Sequence, residues 1–153
     1  MSYSLAIVNG DLSFNGASMN IVQGGEKLVQ DLACCVLEPM GTDNLHPTFG
    51  STINGGINPD GSYNPGVIGQ LGAMAAMQAQ GEITRIVKQY QTQQQTRFQA
   101  DVAVYGKGTI TADEALLGAS DVSATLNQDI LQVSVKLRTG LGDVAINLPI
   151  TTA

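Results

Sequence analysis

The sequence predicts an α+β domain, two helices packed on a mainly antiparallel sheet, and three observations carry that prediction. Short alternating runs near the start are separated by Asn9-Gly10 and Asn15-Gly16, dipeptides that tolerate the positive φ of hairpin turns. Leu28, Leu32, Cys35 and Val36 then recur at helical spacing and stop at Pro39 and Gly41. Near the end, Leu131, Val133, Val135 and Leu137 alternate with Gln132, Ser134, Lys136 and Arg138, the pattern of a half-buried strand. Strands, helix, long loop, helix, strands, in that order, make an α+β arrangement.

Each element has a local reason. In segment 1–23, Leu5, Ile7, Leu12, Phe14, Met19 and Ile21 alternate with polar or small residues, so short strands are expected. The first helix carries its apolar stripe with Val29 beside it, and Glu26 and Lys27 are expected to face away. Burying four such side chains contributes on the order of 6–10 kcal/mol before ordering entropy is subtracted. Segment 54–66 is dense in Gly, Pro and Asn and reads as a long loop. A second helix is expected over Val67–Arg97, weakened by Gly69, Gly72 and Gly81 but carrying a core stripe of Ile83, Ile86, Val87 and Tyr90. Phe98, Ala100, Val102 and Val104 then read as strand, as do Val122, Ala124 and Leu126. Asp113 and Glu114 look like first-turn acids of a short helix, with Thr111 and Glu114 spaced as a capping box. The terminal hairpin spans 129–150, turns at Thr139–Gly142, and returns with Val144, Ile146, Leu148 and Ile150 pointing one way. Pro149 cannot donate a ladder hydrogen bond, which suits an edge strand.

Composition narrows the function. The length of 153 residues suits a single domain, 1–153, able to bury a core without staples. Charged residues are only 13% of the chain, about half the usual share, and a sparsely charged surface has few ions to desolvate when it docks. A net charge of -6 with scattered cations argues against nucleic-acid binding. Neither a signal peptide nor an apolar run long enough to span a membrane is visible, so no membrane partner is expected. Cys34 and Cys35 are adjacent, too close for a relaxed bridge, and read as reduced thiols.

Catalytic constellations are scarce. His46 is the one histidine and precedes Pro47; no His or Cys pair has metal-site spacing, and no nucleophile elbow or phosphate loop occurs. Paired carboxylates for glycoside hydrolysis need not be close in sequence, and Asp31, Glu38, Asp43 and Glu82 are the candidates. As isolated acids they read as surface or helix-end charges. No enzyme and no cofactor are expected.

The unit Gly24–Gly50, a helix running into His46-Pro47-Thr48-Phe49-Gly50, resembles one family. KLVQDLACCVLEP, Pro47-Thr48-Phe49-Gly50, EITRIVKQYQ and DILQVSVKLRTGLGDVAINL follow the order seen in baseplate wedge, or sheath-initiator, proteins of contractile phage tails. These are also called lysozyme-like wedge proteins and have counterparts in type VI secretion baseplates. Residue-level similarity covers about 28–50 and 82–97. The family's Gly-Glu-Arg before the loop is Gly41 to His46 here, and its Glu-Pro-Arg after the second helix is Gln93-Gln94-Gln95-Thr96-Arg97, where only Arg97 corresponds. The resemblance implies a fold like the core domain of tail sheath proteins and a structural role in the virion, with assembly in the host cytoplasm. It implies joining wedge to sheath and initiating sheath assembly, with the sheath protein, other wedge proteins and hub or tube proteins as partners. Expected partner-binding residues are Pro47, Phe49, Gly50 and Arg97, with Asp143, Val144, Ala145, Ile146, Asn147, Leu148 and Ile150 as a strand that pairs with a sheath arm. The alternatives are a cell-wall glycan hydrolase, or another tail ring protein such as a tube or terminator subunit.

Overall fold

Residues 3–67, 73–128 and 130–151 are described by the computed structural model. They form a mixed α+β fold with two helices and several small, mostly antiparallel sheets. The first strands are β1 (Tyr3–Leu5), β2 (Ile7–Val8), β3 (Asp11–Leu12), β4 (Phe14–Asn15), β5 (Ser18–Met19) and β6 (Ile21–Gln23). They make three two-stranded ribbons, β1–β6, β2–β3 and β4–β5, rather than one meander. The ribbons meet at a closed triangle of backbone bonds: Ala6 donates to Asn20, Asn20 to Ser13, and Ser13 to Ala6, at 2.8, 2.9 and 2.8 Å. The junction residues are seven apart, and SLAIVNG, DLSFNGA and SMNIVQG align as a sequence repeat. Asn9 and Gly10 both have positive φ, as a primed turn requires. The second turn sits one residue later than expected, because Asn15 pairs with Ser18.

Helix α1 (Gly24–Leu37) matches the sequence expectation, with Leu28, Leu32, Cys35 and Val36 all buried. Its N-cap residue, Gln23, makes no side-chain cap bond. Asp113, distant in sequence, lies against Gly24 and bonds the Gly25 backbone, so the first turn meets an acid supplied in space as well as its own Glu26. Lys27 corrects the expectation: it is 5% exposed and faces inward.

After α1 come β7 (Pro39–Met40), β8 (Ser51–Ile57) and β9 (Tyr63–Asn64), with β7 parallel and β9 antiparallel to β8. The 54–66 segment is therefore part strand, correcting the loop reading. Its glycines allow backbones to touch: a Cβ at Gly55 would lie 2.8 Å from the Asn64 carbonyl oxygen.

Helix α2 spans Ala73–Tyr105 over 33 residues, about 50 Å. The expected start at Val67 falls partly on 68–72, Gly69 and Gly72 included, outside the described residues. The expected end at Arg97 is corrected, and Phe98–Val104 is helix rather than strand. Beyond Arg97 no Gly or Pro interrupts the chain until Gly106, whose N–H closes the helix on the Val102 carbonyl at 2.9 Å. The alternating apolar residues also fit helical spacing through Phe98, Val102 and Tyr105 at i, i+4 and i+7.

In the TADEALLG segment residues 111–115 form a single turn, not a helix, and lead into β10 (Leu116–Asn127). β11 (Ile130–Thr139) and β12 (Asp143–Thr151) complete an antiparallel sheet in the order β10-β11-β12. Its inner face and the two helices enclose one core, with Leu131, Val133, Val135 and Leu137 at most 2% exposed. Asp129, the expected first residue of the hairpin, lies outside the described residues.

Candidate functional site

Strand β12 has β11 as its one strand neighbour among the described residues, in unbroken register from Asp143↔Arg138 to Thr151↔Ile130. Ile146 and Ile150 are buried and Val144 and Leu148 half-buried, while Asp143, Ala145, Asn147 and Pro149 are exposed. Gly25 of α1 lies near Val144, so the first face is covered by the chain itself. Asp143 forms an exposed bridge to Lys136 at 3.0 Å. Among the described residues no second strand pairs with its outer backbone edge. Such an edge can accept another strand, with register set by alternate side chains.

The loop residues divide. Pro47 is exposed, whereas Phe49 is half-buried and packs on the core beside Cys35, Ile86 and Tyr90. Gly50 is buried at φ +91°, and a Cβ there would lie 2.6 Å from the Glu38 carbonyl oxygen, so no other residue fits unstrained. The loop is held by a residue the sequence reading did not single out. The Arg85 guanidinium donates to the Gly50 carbonyl at 2.9 Å and to both Glu82 carboxylate oxygens at 2.8 Å. Glu82 also accepts from the Thr52 N–H at 2.8 Å. Burial opposes ionisation of Glu82, but the bonds from Arg85 and Thr52 outweigh it and hold the carboxyl below its ordinary range. The i, i+3 spacing of Glu82 and Arg85 was a visible signal for this pair.

Arg97 is exposed at the rim of a cleft of about 340 Å³. Inside it, the Lys27 ammonium meets Asp31 at 2.6 Å and Glu114 at 3.0 Å, and the Tyr90 hydroxyl donates to Asp31 at 2.8 Å. Burial works against the charged Lys27, yet its bonds to the two carboxylates raise its pKa. Burial, then the Asp31 charge, raises that of Tyr90. The Lys27 ammonium thus ties the Asp31 and Glu114 carboxylates together.

The other acids are engaged separately. Glu38 accepts from the Thr42 hydroxyl at 3.2 Å, and Asp43 meets His46 Nδ1 at 2.9 Å. That His46 contact, then the Leu45 N–H, lowers the pKa of Asp43. Among the described residues no group of three His, Cys, Asp or Glu is placed to hold a metal ion. No described helix is long and apolar enough to cross a membrane. Comparison with protein-family models, curated proteins and solved structures finds no match to this chain.

Proposed function

We propose that this chain is a structural part of a contractile tail baseplate, joining wedge to sheath and initiating sheath assembly by strand pairing along β12. The observation that carries the reading is the open edge of β12. Nine residues of regular strand lie at the margin of the sheet, with one face anchored in the core. An edge rigidly held on one face can template an incoming arm without first folding, which lowers the ordering cost of assembly. The sequence resemblance to sheath-initiator proteins supports the same reading, and with it the likeness of this fold to the sheath core domain. Pro47, exposed beside a loop pinned by Phe49, Gly50 and Arg85, offers a fixed contact for a wedge protein. Arg97 offers a second, at the rim of the Lys27 cleft.

The test is a reconstruction of the assembled particle. The expected result is a sheath arm hydrogen-bonded along Asp143–Ile150. A β12 edge covered by this chain itself, or bare in the assembled particle, overturns the proposal.

A further inference from the structure

One large groove lies apart from both β12 and the Lys27 cleft. It runs between the first hairpin and α1 and encloses about 780 Å³. Its apolar floor is Ile7, Val22, Val29, Ala33 and Leu37, with Leu37 44% exposed. Val29, Ala33 and Leu37 are spaced i, i+4 and i+8 on α1, so they form one continuous stripe. One wall is fixed from both sides by Gln30, which accepts from the Ile7 N–H and donates to the Leu5 carbonyl, both at 2.8 Å. The groove is thus preformed.

Its charges are one-sided. Glu26 and Glu38 line it, and no cation does. Glu26 lies in the first turn of α1 and Glu38 is its C-cap residue, twelve positions on, about 18 Å at the helical rise. A ligand that buries apolar surface here is favoured when it brings positive charge to both ends. An apolar floor the length of a helix, with an acid towards each end, has the form of a helix-in-groove site.

We infer that this groove receives a helix from a different protein, apolar along one face and carrying Lys or Arg at both ends of that face. A second copy of this chain does not supply it. On α2 the cations are Arg85, Lys88 and Arg97, of which Arg85 is engaged by Glu82 and Gly50, while Lys88 and Arg97 stand only nine positions, about 13.5 Å, apart. The apolar residues between Arg85 and Arg97, Ile86, Val87 and Tyr90, belong to the chain's own core. On α1 the one cation, Lys27, is buried. The inference is independent of the reading of β12: an assembled particle without a strand at β12 leaves the result below unaffected.

The experiment is a titration of the ¹⁵N-labelled full chain with a synthetic helical peptide bearing leucines along one face and lysines about 18 Å apart. A control peptide carries glutamates in place of the lysines. The expected result is perturbation of the Val22, Val29, Ala33 and Leu37 amides, with the glutamate peptide binding roughly three- to tenfold more weakly. The double variant Glu26→Lys/Glu38→Lys is expected to reverse that preference, and Ala33→Arg to abolish binding. Should Ala33→Arg fail to fold, the charge-reversal variant still decides. Perturbation confined to other residues, equal binding of both peptides, or self-association that shifts the same amides on concentration would each overturn the inference.

Discussion

Glu82 shows how one side chain ties two parts of the fold. Its carboxylate holds Arg85, which reaches the Gly50 carbonyl, and it also takes the Thr52 N–H at the start of β8. Its side chain is 11% exposed, so these bonds replace water rather than compete with it. The pKa is lowered from 4.5, so Glu82 contributes stability that is present above that value. The contribution is lost as pH falls through the depressed folded-state value. Glu82→Gln should therefore cost about 1–3 kcal/mol near neutrality, because it breaks the ion pair and weakens acceptance from Thr52. It should also flatten the acid side of the stability profile. Urea denaturation of both proteins between pH 7 and pH 3 checks this; parallel curves would sink it. The sequence marked Gly50 as unusual, but it showed Glu82 only as one acid among many. The bonds from Glu82 to Thr52 and from Arg85 to Gly50 span 30 and 35 positions, and no local pattern encodes them.

At the scale of elements, α1 was legible because its burial is one-sided and its stop signals are strong. The end of α2 was not, because Phe98–Val104 satisfies both the strand and the helix period, and only the absence of a breaker before Gly106 favours the helix. Lys27 was misread for another reason. A lysine on a helix is assigned to solvent unless partners exist, and its partner Glu114 is 87 positions away. That buried contact fastens α1 to the turn before β10, and Gln94 of α2 donates to the Glu114 carbonyl at 2.9 Å on the same spot. Lys27→Met would leave Asp31 and Glu114 facing each other without the ammonium between them. The expected loss is about 3–5 kcal/mol, with part of it recovered in Lys27→Met/Glu114→Gln. A double-mutant cycle by denaturant unfolding measures the coupling. A single-variant cost below about 1 kcal/mol would show that the cluster is no clamp.

Over the whole molecule, the accessible surface is 9038 Å². A compact monomer of 15.9 kDa is expected to expose about 7,400 Å². The excess has identifiable sources. Leu5, Ile7, Leu12, Phe14, Met19 and Ile21 are each at least 40% exposed, and they pair directly across the three ribbons as Leu5 with Ile21, Ile7 with Leu12 and Phe14 with Met19. Cross-strand partners share a face, so each ribbon turns an apolar pair to solvent. The far end of α2 adds Val102, Val104 and Tyr105. Apolar alternation was visible in the sequence, but alternation alone does not say whether a face meets this chain's core or another protein. A chain built this way should be stable at its centre and loose at its edges. Hydrogen exchange of the free protein should show residues 3–23 and 98–105 exchanging far faster than β11, whose inward side chains are almost wholly buried. If the proposed assembly covers those ribbons, the 3–23 amides should become protected when the partner is added. Equal protection of 3–23 and β11 in the free chain would mean that the ribbons are stable on their own, and their exposed apolar pairs would then need no partner.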